Sequence, residues 1–129
     1  MIEFGVKTRS RCQMVDITGQ VQDAVRESGV SEGLCVVYVP HTTAGVTINE
    51  GADPSVCTDI EGTLSNAFPK SPHYQHAEGN SDSHIKTTLV GPSVTIIVRG
   101  GNLCLGTWQT VFFCEFDGPR SRNVWVRVQ

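Results

Sequence analysis

The chain has 129 residues, 39% of them hydrophobic and 18% charged, with a formal net charge of −3 and a sequence pI of about 5.7. That balance excludes a disordered chain and a globally basic nucleic-acid binder, and no apolar run approaches the ~20 residues of a membrane-crossing helix. The length suits a single domain, residues 1–129, which can bury a core without a covalent staple.

In chain order, MIEFGVKTRSRC lacks the apolar stretch of a secretory signal. Ile2-Glu3-Phe4-Gly5-Val6 alternates as a strand does, and Cys12 to Ile17 alternates in part. Thr18 is placed to cap a first helix, with Val21, Ala24 and Val25 as its apolar stripe and Gly29 as its stop. Leu34 to Val39 is an unbroken apolar run, predicted as a strand buried on both faces, and Val46 to Ile48 is a short strand after it. Asp53-Pro54 is an N-cap followed by proline at the first helical position. Val56, Ile60 and Leu64 then form the predicted buried row of that second helix.

Pro69 to Ser83 is polar and reads as a long loop. A third helix begins near Ser81, carries His84, Ile85 and Leu89, and ends at Gly91-Pro92. Val94 to Val98, Thr107 to Phe116 and Val124 to Val128 are rich in β-branched and aromatic residues and are predicted strands. In the last of these, three valines share one face while Trp125 and Arg127 share the other. The sum is an α+β domain, an antiparallel β-sandwich with about three short helices.

Five cysteines, Cys12, Cys35, Cys57, Cys104 and Cys114, form no CxxC pair, and four lie in apolar runs. They read as reduced core thiols of a cytoplasmic protein, with no disulfide expected. Arg120 and Arg122 read as solvated surface, although arginine also suits a phosphate.

The chemistry-bearing residues gather in three stretches. His41 ends the Leu34–Val39 strand, His73 and His76 lie in the polar loop, and His84 sits in the first turn of the third helix. There the helix dipole favours neutral imidazole, the form that ligates metal. Glu50 is a candidate general base in a dry site. Asp53 is most simply a helix cap and alternatively an orienter of an imidazole. Thr42-Thr43 and Gly106-Thr107 offer hydroxyls and flexible backbone to a phosphate. Nucleotide-loop patterns and a serine elbow are absent.

These stretches resemble the YjbQ-like family. His41-Thr42-Thr43-Ala44 with Asn49-Glu50 and Asp53-Pro54 is similar to its first motif. Tyr74-Gln75-His76, Glu78-Gly79 and Ser83-His84-Ile85-Lys86 are similar to its second. Ser93, Ile96, Val98, Gly101, Gly106-Thr107-Trp108-Gln109 and Val111 match its spaced signature. The resemblance implies a jelly-roll-like sandwich, a homotrimer and a thiamine-phosphate synthase activity, in which a pyrimidine pyrophosphate joins a thiazole phosphate and pyrophosphate leaves. It implies that His41, His76 and His84 hold a divalent metal, zinc or magnesium, with His73 outside. Glu50, Asp53 and His41 would do the proton chemistry, and Thr42, Lys86 and Gln109 would hold the phosphorylated ligand. The alternative is a non-catalytic protein that binds a phosphorylated metabolite; neither reading involves nucleic acid or a membrane.

Overall fold

Alternating apolar residues lay down eight strands, and three segments with helical spacing make the helices. The computed structural model describes residues 1–129. In order they are β1 (Ile2–Lys7), β2 (Gln13–Asp16), α1 (Thr18–Ser28), β3 (Glu32–Tyr38), β4 (Ala44–Glu50), α2 (Pro54–Ala67), α3 (Ser81–Val90), β5 (Ser93–Arg99), β6 (Asn102–Leu103), β7 (Gln109–Glu115) and β8 (Ser121–Val128). One sheet has the order β1-β8-β3-β5-β6 and the other β2-β7-β4. Every pairing is antiparallel. The expected α+β sandwich is therefore the architecture.

The main core lies between the sheets. Val37, Val98, Val124 and Val126 of the large sheet meet Val46, Val111 and Phe113 of the small one, and Ile17, Val21 and Val25 of α1 close the end. Burying each such side chain contributes about 1.5–3 kcal/mol. A second cluster, Phe112, Cys114 and Phe116, occupies the outer face of β7, where Met14, Cys57, Leu64 and Val90 partly cover it.

β7 is thus the strand buried on both faces, a role predicted for Leu34–Val39. In β3 the inward Cys35 and Val37 are buried, but Leu34 is 47% and Tyr38 42% exposed. The physical reason is that β3 is central in its sheet, yet no helix covers that sheet's outer face. Tyr38 and Trp125 stack there with ring centroids 5.7 Å apart.

The helix ends follow local chemistry with one correction. Thr18 does not cap α1; the N-cap is Ile17, without a side-chain hydrogen bond. The Thr18 hydroxyl oxygen instead accepts the Val111 N–H at 2.9 Å, fastening the helix start to β7. Gly29 ends α1 in the left-handed region at φ 70°. Asp53 caps α2 by accepting the Ser55 N–H at 2.9 Å, as expected. The predicted buried row of α2 is not buried: none of its residues is. Irregular chain runs only to Asn80, because Ser81–Ser83 already belong to α3.

The close approach of α3 to β4 requires glycine. A Cβ at Gly45 would lie 2.6 Å from the Gly91 carbonyl oxygen, which accepts the Val46 N–H at 3.1 Å. All five cysteines are free; Cys35 and Cys114 are buried, Cys12 and Cys57 partly so, and Cys104 is exposed. The core reading fails for Cys104 because it follows β6, the open edge of the large sheet.

Candidate functional site

At one end of the small sheet three chain segments meet. Ala44 pairs with Glu115, and the Phe116 N–H donates to the Thr43 carbonyl at 3.1 Å. The Ser83 hydroxyl donates to the Phe116 carbonyl at 2.6 Å, docking the first turn of α3. The three segments enclose a cavity of about 350 Å³ lined by His41, Thr42, Thr43, Glu78, Asn80, His84, Asp117, Arg120 and Arg122, with Pro40 at its edge.

The wall is braced by a buried ion pair. Arg122, 6% exposed, donates through Nε to Glu115 Oε1 at 2.9 Å and through Nη2 to Glu115 Oε2 and to Thr43 Oγ1. The Thr8 hydroxyl adds a bond to Glu115 Oε1 at 2.7 Å. Burial alone would raise the Glu115 pKa, but hydrogen bonds from Arg122 and Thr8 outweigh it and hold the carboxyl below its usual range.

Arg122 therefore is not the solvated residue expected from sequence. The signal was its parity, because residues 122, 124, 126 and 128 point to one face of β8, and the valines are the core. Arg120 does stay exposed, with Nη2 3.0 Å from Asp117 Oδ2. Asn80 Nδ2 also donates to Asp117 at 2.9 Å, and Asn80 Oδ1 is buried without a partner. Thr43 joins the wall as the first motif suggested, whereas Asn80, Glu115 and Asp117 belong to no motif and are brought there by long-range strand pairing and the docking of α3.

His41 presents one defined tautomer. Its Nε2 accepts the Asn123 N–H at 2.9 Å, so the ring proton of the neutral imidazole sits on Nδ1. Burial, then the nearby Arg122 charge, lowers its pKa, which keeps it neutral near pH 7. His84 lines the same cavity. The His76 ring stands edge-on to His84 at 5.2 Å between centroids, with Nε2 3.8 Å from Glu78 Oε2. His73 is exposed and lines no part of this cavity.

Lys86 is not a ligand-facing cation, contrary to expectation. It is 2% exposed, and its Nζ lies 3.1 Å from Asp82, which Arg11 also pairs at 2.9 Å. The residue four positions after Asp82 falls on the same helix face, and that face packs inward.

Glu50, Asp53 and Gln109 stand elsewhere. β4 begins beside the cavity at Ala44 and ends at Glu50, which pairs with Gln109; six residue steps of ~3.4 Å put roughly 20 Å between the two ends. At the far end Gln109 Oε1 accepts the Gly106 N–H at 2.8 Å, the Gly51 N–H donates to the Trp108 carbonyl, and Trp108 is 62% exposed. Within one chain the three do not reach the histidines.

The residues of one chain also do not compose a preformed metal seat. No group of three His, Cys, Asp or Glu side chains is arranged to hold an ion, and the Nε2 lone pair of His41 is already engaged.

Comparison with known proteins gives a consistent kinship. The chain is 53% identical over 128 residues to the UPF0047 protein MJ1081 of Methanocaldococcus jannaschii, covering 99% of this chain and 93% of that one. It is 44% identical over 124 residues to the UPF0047 protein YugU of Bacillus subtilis, covering 95% and 94%. Among solved structures, an uncharacterised conserved protein of the YjbQ/UPF0047 family from Clostridium acetobutylicum superposes with a TM-score of 0.98 at 54% identity, each chain fully covered. The hypothetical protein APE1520 of Aeropyrum pernix superposes with a TM-score of 0.93 at 41% identity, with 98% and 96% covered. With a family model described as UPF0047 protein YjbQ-like matching residues 2–129, the chain belongs to the UPF0047 (YjbQ-like) family.

Proposed function

We propose that the polar cavity binds the phosphate or pyrophosphate group of a small molecule, and that the protein acts on such molecules as a thiamine-phosphate-synthase-type transferase. The observation that carries the reading is the lining: Pro40 apart, every side chain is polar or charged, and Arg120, His41 and His84 share one space. The Arg120 guanidinium is held by Asp117 through Nε and Nη2, which leaves Nη1 as the donor for phosphate oxygens. The Nδ1–H of neutral His41 and the hydroxyls of Thr42 and Thr43 add donors without adding charge. In the transfer, a carbon–nitrogen bond forms between pyrimidine and thiazole as the carbon–oxygen bond to pyrophosphate breaks. Donors at the cavity wall would stabilise the charge that accumulates on the leaving oxygens.

Glu50, Asp53 and Gln109 enter this reading through assembly. A head-to-tail contact would bring their end of one subunit to the cavity of the next, and such contacts close into rings. Leu34, Tyr38 and Ile97, all more than 40% exposed, support a homotrimer. Zinc or magnesium would arrive with pyrophosphate, whose oxygens carry it, rather than on a three-histidine seat. The cavity alone, without carboxylates from a neighbour, would suffice for a binding protein.

Calorimetric titration with pyrophosphate, followed by product analysis after mixing the pyrimidine pyrophosphate with the thiazole phosphate, tests both parts. Saturable binding that weakens about tenfold in Arg120→Ala supports the site, on the scale of one charged hydrogen bond. Binding without product leaves the binding-protein reading. Absence of binding removes both.

A further inference from the structure

A larger cavity, about 550 Å³, opens on the outer face of the small sheet and shares Glu115 with the braced wall of the first. Its floor is Met14 of β2 with Cys114 and Phe116 at the end of β7. Ile60 and Leu64 of α2 form one wall and Leu89 of α3 the other. The helix above it is short of packing. α2 carries an apolar row, Val56, Ile60 and Leu64, yet none of its 14 residues is buried, and Leu89 is 58% exposed. A row of this kind normally faces a filled core; here it stays half-buried, Leu64 touching the Phe112–Phe116 cluster while Ile60 and Leu64 also line the cavity.

Beside the neutral Gln13, Thr47, Asn49 and Thr63, the charged lining has one sign. Asp59, Glu61 and Glu115 contribute, and no lysine, arginine or histidine does. Glu115 is committed to Arg122, but Asp59 and Glu61 have no ion-pair partner. Glu61 is held in place, its Oε1 accepting the Met14 N–H at 2.8 Å. An apolar floor with carboxylates and no cation attracts an apolar cation and repels an anion.

We propose that this groove is a second binding site, for a small aromatic or aliphatic molecule that carries a positive charge, such as a primary ammonium. It is complementary in charge to the first site: the polar cavity selects phosphate, and the groove rejects it. The proposal does not depend on the transferase reading.

The test uses methyl-labelled full-length protein and three probes of similar shape, phenethylamine, 2-phenylethanol and phenylacetate. The methyl resonances of Met14, Ile60, Leu64 and Leu89 are expected to shift saturably, with the ammonium binding best and the carboxylate worst. Glu61→Gln keeps the acceptor for Met14 and is expected to cut the preference for the ammonium about threefold, the scale of a solvent-exposed ion pair. Leu64→Trp fills the groove and is expected to abolish the shifts with an unchanged far-ultraviolet circular dichroism spectrum; if that variant loses its fold, Leu89→Trp at the exposed rim takes its place. No saturable shift at these methyls, or a carboxylate that binds as well as the ammonium, overturns the proposal. So does a shift that follows protein concentration instead of probe, since a second copy would then cover the groove.

Discussion

At Arg122 the guanidinium is turned inward onto Glu115 and Thr43, so its work is structural, whereas the neighbouring Arg120 is exposed and, held by Asp117 through Nε and Nη2, has no partner on Nη1. Arg122→Ala leaves the Glu115 carboxylate buried and alone, and is expected to cost about 3–5 kcal/mol in urea unfolding. Arg120→Ala is expected to cost under about 1 kcal/mol, because its pair with Asp117 is exposed, while weakening pyrophosphate binding. A reversal of that order would contradict the division of labour. Asp82 gives a pH signature. Burial would raise its pKa, but Arg11 and Lys86 outweigh that and bring it to about 2, against 3.8 for the free group. The folded chain then binds fewer protons than the unfolded chain in this window. The stabilisation is whole above pH 3.8 and is lost as pH falls towards 2, about 2 kcal/mol in all. The stability gap between the wild type and Asp82→Asn should therefore narrow between pH 5 and pH 2.5. A gap independent of pH would show that the Asp82 charge contributes nothing.

Among the elements, the strands were legible because their alternation is local, and so were the Asp53 cap and the Gly29 stop. What was not legible depends on which face another element covers. Leu34–Val39 and Val111–Phe116 are both continuous apolar runs, and only the sheet order decides that the second is covered on both sides. The same limit applies to Lys86, which reads as a ligand group, and to Arg122, which reads as solvated surface, until packing turns both inward. Thr18 looks like a cap, yet its hydroxyl serves β7. Thr18→Val, which keeps the shape and removes the acceptor for the Val111 N–H, is expected to cost about 1–3 kcal/mol, with Thr18→Ser costing much less. Equal losses in the two would assign the effect to the methyl group instead.

For the whole molecule, the three sequence motifs divide between the two ends of β4: His41, His76 and His84 at one, Glu50, Asp53 and Gln109 at the other. A single chain offers the polar cavity proposed to bind phosphate, and an assembly is what would unite the motifs. On that proposal, light scattering at low micromolar concentration gives about three times 14.0 kDa, and Trp108→Ala lowers that mass while changing chain stability by less than about 0.5 kcal/mol, as expected for so exposed a side chain. A wild-type mass of one chain would remove the trimer. The most direct measurement of the central claim is a pyrophosphate titration followed by nuclear magnetic resonance of the four histidine rings. Saturable shifts at His41 and His84, with His73 still, are the predicted result; rings that stay unmoved, or a response as large at His73, would contradict a phosphate site in this cavity.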